Sequence, residues 1–311
     1  MLRPNARQVR SGSRPTWCPH LCYAASGAQP TRVMYRLLAL DLDGTVIGKD
    51  LRVTDPVRAA VAAAQARDVY VTLVTGRMFR STLPFARQLG LRDPLICYQG
   101  ALVRHPLTDA VWHHTPMPGS LAAEAIALLH GAGTCVLACI DERLGIVQDG
   151  IQFAGFVRRW GFPDPAHMFV ASNLAEIARA TPPTKLMFFG EPPLVERELA
   201  HLTAHFGTGL AVVRSDATLG ELTAPGLSKG LALATLARHL GVAREHVMAI
   251  GDQDNDLSML QWAGLGLAMG NAPSSVQGMA DAVIPSVEED GVAWAIREYI
   301  LCKEGTETTP L

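Results

Sequence analysis

Apolar positions in this chain form short continuous runs that stop at polar residues, and the pattern starts only at Tyr35. Leu37-Leu38-Ala39-Leu40 ends on Asp41, and Val69-Tyr70-Val71-Thr72-Leu73-Val74 ends on Thr75-Gly76-Arg77. Apolar runs this short, closed by turn-forming residues, read as buried strands of a parallel sheet. Between them an Ala-rich stretch opens with Thr54 as N-cap and Pro56 in the first turn, predicting a helix over 56–67. A second helix is expected over 78–89 and a third strand at Leu95-Ile96-Cys97-Tyr98. Strands alternating with helices imply an α/β fold with a Rossmann-like parallel sheet and right-handed crossovers.

The same alternation returns later in the chain: helix at 230–240, strand at 247–250, helix at 256–263 and strand at 265–269. Residues 117–220 behave differently. Helical stretches (120–130, 174–179, 194–205) and strand runs (134–140, 186–189, 210–214) are separated there by Pro-rich joints such as Thr115-Pro116-Met117-Pro118. The expected organisation is a discontinuous core domain, 34–116 and 221–304, with an inserted α+β domain at 117–220. Residues 1–33 have no apolar period and are expected to be a disordered leader or a mis-assigned start, with Met34 as the alternative initiator.

Composition sharpens this picture. The 311 residues are 49% hydrophobic and 18% charged, with a net charge of −2, which excludes a disordered chain and gives no basis for nucleic-acid binding. The first 33 residues hold five Arg and no acid, leaving 22 Lys+Arg against 29 Asp+Glu from Met34 onward. An Arg-rich, acid-free leader also fits an organellar transit peptide. No apolar run is long enough to span a bilayer, so a cytoplasmic protein without membrane partners is expected. Six scattered Cys fit a reducing compartment. Cys18, His20 and Cys22 form a C-x-H-x-C cluster, but no second pair follows at zinc-ligand spacing, and it is not read as a metal site.

Candidate chemistry sits at the strand ends. Asp41-Leu42-Asp43-Gly44-Thr45 places two carboxylates at the C-terminal end of the first strand, where open parallel sheets keep their ligand crevice. Gly251-Asp252-Gln253-Asp254-Asn255-Asp256 closes a later strand in the same way. Both segments faintly resemble calcium loops, yet Gly44 is in the fourth rather than the sixth position, and Leu257 and Ala263 occupy the Gly and Glu positions of the second. Helix N-capping explains one Asp, not three. Carboxylates gathered from two strand ends repel one another unless a cation sits among them, and hard oxygen ligands favour Mg²⁺.

Thr75 and Gly76 offer a hydroxyl and a flexible backbone at a helix start, suited to a phosphate oxygen. Lys229 precedes a helix in a chain with only four Lys against 23 Arg, which suggests a compact point charge, the bland alternative being a solvated surface lysine. The Gly-rich run 264–270 does not fit the dinucleotide fingerprint, and no P-loop is present.

Taken in order, Asp41-x-Asp43-Gly44-Thr45, Thr75-Gly76-Arg77, Lys229 and Gly251-Asp252-x-x-Asn255-Asp256 resemble the four motifs of the haloacid dehalogenase superfamily. Met259-Leu260, Ala268-Met269-Gly270-Asn271-Ala272, Ala280-Asp281 and Glu289-Asp290-Gly291-Val292 are similar to its Cof-type phosphatases with a C2 (IIB) cap. The resemblance spans about 35–300. Its motif spacing agrees with an insertion of that kind, because only a short segment separates Asp43 from Thr54 while a long one separates Arg77 from Lys229. Gln99-Gly100-Ala101 departs from the Asn-Gly-Ala usual in the family.

The resemblance implies phosphomonoester hydrolysis, with Asp41 as nucleophile and Asp43 as general acid and then base. It also implies Mg²⁺ held by the Asp41 carboxylate, the Asp43 main-chain carbonyl and Asp252, with Asp256 supporting them. Thr75, Gly76, Lys229 and Asn255 would bind the phosphate. The implied substrate is a small phosphorylated metabolite, expected to be a sugar phosphate. Two rivals are a phosphotransferase of the phosphomannomutase kind and a non-catalytic phosphosugar-binding protein. His113, His114, Arg158, Arg159, Trp160 and Lys185 are candidates for substrate contact by polarity alone.

Overall fold

The computed structural model describes residues 34–147 and 167–301. Cys18, His20, Cys22, Arg158, Arg159, Trp160, Cys302 and the expected leader lie outside them. Strands β1 (Leu37–Leu40) and β2 (Tyr70–Leu73) are followed by β3 (Leu95–Cys97), β4 (Leu102–Arg104) and β5 (Val111–His114). Next come β6 (Cys135–Ile140), β7 (Arg143–Val147), β8 (Met168–Ala171), β9 (Lys185–Phe189), β10 (Ala211–Asp216) and β11 (Leu219–Thr223). The last three strands are β12 (Val247–Gly251), β13 (Leu265–Met269) and β14 (Ala282–Ile284).

A five-stranded parallel sheet in the order β14-β13-β12-β1-β2 forms the centre of the fold. All four residues of β1 are buried, as expected of a strand covered on both faces. Helix Asp55–Gln65 follows β1, capped as the sequence predicts by Thr54, whose hydroxyl accepts the Val57 N–H. Helix Phe79–Gln88 follows β2.

The third strand departs from expectation. β3 joins the parallel sheet at a parallel bridge between Val74 and Ile96, where the Thr75 N–H donates to the Ile96 carbonyl at 2.9 Å, and its extended pairing is antiparallel, with β4, which pairs with β5. The cause is local: Tyr98, Gln99 and Gly100 adopt φ of 52°, 59° and 105°, so the chain reverses at once instead of entering a crossover helix. β5 carries no legible pattern because all four of its residues are exposed.

A second sheet in the order β10-β11-β9-β6-β7-β8 is antiparallel except for the parallel pair β7–β8. One face, including Val136, Ala138, Leu186, Phe188 and Leu222, packs beneath helices Gly119–Gly131, Leu174–Ala180 and Pro192–Phe206. The opposite face, including Leu137, Cys139, Met187 and Leu219, joins the same buried cluster as Leu40, Leu42 and Tyr98. β11 continues through Thr223, which pairs with Lys185 and Ala211, so the antiparallel sheet extends past 221; Gly220 and Glu221 interrupt its apolar run and hide the strand in the sequence. Among the described residues, Cys97, Cys135 and Cys139 are free, and no helix is long and apolar enough to cross a membrane.

Candidate active site

Pairing of β1 with β12 sets the site, because residues that leave the C-terminal ends of neighbouring parallel strands emerge side by side. Asp41 follows β1 and Asp252 follows β12. Asp256 closes the short 3₁₀ turn Asp254–Asp256 before helix Leu257–Trp262. Lys229 is the first residue of helix Lys229–His239, whose N-cap Ser228 accepts the Leu231 N–H. Its ammonium donates to Asp41 Oδ1 at 2.5 Å and to Asp256 Oδ1 at 2.6 Å. The exposures of Asp41, Asp252, Asp256 and Lys229 are 5%, 3%, 0% and 1%, which rules out the solvated-lysine alternative.

Ligand oxygens of Asp41, Asp252 and Asp256 lie within 4.8 Å of one another. Three carboxylates face one ammonium, and the imbalance shows in their proton affinities. Burial, then repulsion from Asp256 and Asp252, raises the Asp41 pKa well above the usual carboxylate range, and Lys229 offsets only part of this. Asp252 is also raised, chiefly by burial, although Gln253 Nε2 and Thr45 Oγ1 donate to it at 3.0 and 3.2 Å. Burial alone would lower the Lys229 pKa, but attraction to Asp41 and Asp256 raises it instead. A hard divalent cation suits this excess of negative oxygen. Asp256 has a further duty, because its Oδ2 accepts both the Asp252 and Gln253 N–H groups at 2.9 Å and so shapes the loop.

Gly44 is required by this packing. It has φ +83°, and a Cβ there would overlap the Asp252 carboxylate. Gly44→Ala is expected to cost roughly 2–4 kcal/mol from strain and displacement of Asp252, measurable by urea unfolding. Asn271 adds a further tie, donating to the Gly44 carbonyl at 2.8 Å while its Oδ1 accepts the Val287 N–H at 2.9 Å.

The remaining predicted residues form a rim. The Asp43 side chain is 50% exposed and takes a two-point ion pair from Arg77, at 2.7 Å from Nε and 2.6 Å from Nη2. Sequence reasoning did not anticipate this partner, although Arg77 belongs to the same short motif as Thr75. Thr75 is buried and its hydroxyl accepts the Arg77 N–H at 3.1 Å. Asn255 donates to Gln99 Oε1 at 3.2 Å, and Gln99 lies against the Gly76 Cα. Gln99 therefore has a definite place, bridging the second-strand loop to the fourth motif. Asp254, which sequence spacing grouped with Asp252 and Asp256, is exposed.

The chain is similar to known proteins over most of its length. A family model described as haloacid dehalogenase-like hydrolase matches residues 38–296. The 5-amino-6-(5-phospho-D-ribitylamino)uracil phosphatase YitU of Bacillus subtilis is 28% identical over 279 residues, covering 85% of this chain and 97% of the relative. The pyridoxal phosphate phosphatase YbhA of Escherichia coli is 29% identical over 276 residues, covering 86% and 99%. The solved structure of TM0651 from Thermotoga maritima is similar with a TM-score of 0.78 at 28% identity, covering 85% of this chain and 97% of the other. The chain belongs to the haloacid dehalogenase-like hydrolases.

Proposed function

We propose that the protein is a Mg²⁺-dependent phosphatase that hydrolyses small phosphomonoesters through an aspartyl-phosphate on Asp41. The observation that carries this reading is the buried set of three carboxylates opposed by one ammonium at adjacent strand ends. Mg²⁺ would be held by the Asp41 and Asp252 carboxylates and the Asp43 main-chain carbonyl, and it supplies the positive charge that lets an anionic nucleophile approach an anionic phosphoryl group.

In this reading an Asp41 carboxylate oxygen attacks phosphorus, and the leaving alkoxide takes a proton from Asp43. Water then gives its proton to Asp43 and attacks the aspartyl-phosphate, releasing phosphate and restoring Asp41. Lys229 orients Asp41 by holding Oδ1 and, with the Thr75 hydroxyl, the Gly76 backbone and the Asn255 amide, receives the phosphoryl oxygens. The half-exposed position of Asp43 supports its proton-exchange role, because the group must reach both solvent and leaving group. The inserted antiparallel sheet acts as the cap that excludes water. Relatives named for phosphorylated heterocyclic metabolites support a small phosphometabolite as substrate.

The test is release of inorganic phosphate from p-nitrophenyl phosphate, hexose phosphates, pyridoxal phosphate, flavin mononucleotide and nucleotides, with Mg²⁺ or with EDTA. Release that requires Mg²⁺ is expected. Conversion of hexose 1-phosphate to 6-phosphate without free phosphate, or binding without turnover, would each overturn hydrolysis.

Mg²⁺ at about 100-fold over its Kd is expected to raise the melting temperature by roughly 5–10 °C at pH 8. The shift should shrink on acidification to pH 5, because protons compete for Asp41 and Asp252. The sign for the metal-free protein is opposite. Folded Asp41 and Asp252 bind protons more tightly than the unfolded chain does, so their contribution to stability falls as pH rises through the window above the ordinary carboxylate value.

A further inference from the structure

Two buried charges on the antiparallel sheet have no part in the chemistry above. Lys185 on β9 and Glu221 on β11 are 4% and 7% exposed and pair at 2.9 Å. Thr223 lies opposite Lys185 and Met187 opposite Glu221, so the two are diagonal neighbours on one face of the sheet. Beside the pair and Thr223, that face meets the parallel-sheet region through Leu137, Cys139, Met187 and Leu219. An ion pair there is an expensive choice, since well-packed apolar residues fill such positions at least as stably.

What the pair touches gives it a use. Lys185 Nζ also donates to the main-chain carbonyl of Gly76 at 3.1 Å. The same peptide group carries the Arg77 N–H, which donates to Thr75 Oγ1. The Gly76–Arg77 peptide is thus clamped at both ends, its carbonyl by an ammonium from the other sheet and its N–H by the Thr75 hydroxyl. A glycine peptide turns easily when unclamped. Its orientation sets where the Thr75 hydroxyl points and where the Arg77 side chain, which grips Asp43, begins.

We propose that Lys185, held by Glu221, is a positioning residue for phosphoryl transfer, fixing the Gly76–Arg77 peptide so that the Thr75–Arg77 loop is correctly set only when the antiparallel sheet is docked on it. This rests on the phosphatase reading for its kinetic consequence, but its structural consequence can be read without turnover.

The experiment uses the full chain with Lys185→Met, Lys185→Arg and Glu221→Gln. With Mg²⁺, Lys185→Met is expected to lower kcat roughly 10- to 100-fold, the scale of a small misplacement of catalytic groups. The factor should be the same for p-nitrophenyl phosphate and pyridoxal phosphate, with KM nearly unchanged. Lys185→Arg should recover most of the loss, and Glu221→Gln should show a smaller loss of the same kind. Wild-type kcat in Lys185→Met overturns the proposal, as does a KM rise that differs between substrates, which would make Lys185 a group that reads the substrate.

Amide hydrogen exchange supplies the second readout. Exchange over residues 74–80 should speed up about tenfold or more in Lys185→Met and Glu221→Gln, while helix Gly119–Gly131 stays as in the wild type. Unchanged exchange at 74–80 overturns the proposal. If Lys185→Met fails to fold, Glu221→Gln, which keeps the ammonium and nearly the same volume, decides by the same two measurements. A wild-type protein that releases no phosphate would sink the phosphatase reading and leave the exchange result to judge the clamp.

Discussion

Asp41→Asn is expected to lower phosphate release by roughly 10⁴-fold or more and, at the same time, to raise the melting temperature of the metal-free protein. The first effect follows from the proposed reaction, in which Asp41 is the attacking carboxylate: an amide oxygen would not form the covalent intermediate, and the residual rate would come from binding and charge stabilisation alone. The second follows from electrostatics. Asp41 is buried beside two other carboxylates, and its raised pKa is the cost of keeping it ionised there. A neutral side chain of the same shape removes that repulsion, and Lys229 keeps its partner Asp256. Phosphate release and a thermal melt in EDTA measure the two effects on one sample. Surviving activity would remove Asp41 from the chemistry, and a lower melting temperature would mean that its link to Lys229 outweighs the repulsion.

Lys229→Met should have the largest effect on stability, a loss of roughly 3–5 kcal/mol in chelator, because it strands the buried Asp41 and Asp256 carboxylates without the ammonium that pairs with both. Phosphate release should fall on the order of 10²–10³-fold, since Asp41 is no longer held and, in the proposed reaction, one positive group that receives the phosphoryl oxygens is lost. Urea unfolding with and without Asp41→Asn tests the coupling. The double variant should regain more than Asp41→Asn adds in the wild-type background, because removing one carboxylate also lessens the charge that the missing lysine leaves behind. Simple addition of the two single effects would show that Lys229 acts on Asp256 alone.

Some of this architecture was legible from residue order. Leu37 to Leu40 is an unbroken apolar run closed by Asp41, so both the buried strand and the carboxylate at its end could be read directly. Lys229 stood out because lysine is scarce in the chain and the neighbouring motif agreed. β11 was hidden because Gly220 and buried Glu221 break its apolar pattern, and β5 because an exposed strand has no apolar side to display. Tyr98 looked like the end of a strand, whereas the left-handed backbone of Tyr98 and Gln99 is imposed by the surrounding fold rather than by the residue types.

The partners that tune the site were harder still to read. Arg77 and Asp43 are 34 residues apart, and Lys185 is 109 residues from the Gly76 carbonyl that it holds. Such pairs have no periodic signature. Only the folded chain brings them together.

The order of synthesis gives the β1–β12 pairing one more consequence. Thr45 leaves the ribosome 207 residues before the Asp252 that it will hydrogen-bond, and Asp41 leaves 188 before Lys229. β1 can pair early with β2, but its other edge has to wait for β12, while β6 to β11 are already available to form their own sheet. No nascent fragment ending before β12 can hold the full carboxylate set. On the proposed site, hydrolytic capacity arises in one late step, and a product truncated before β12 is expected to release no phosphate however well its earlier parts have folded.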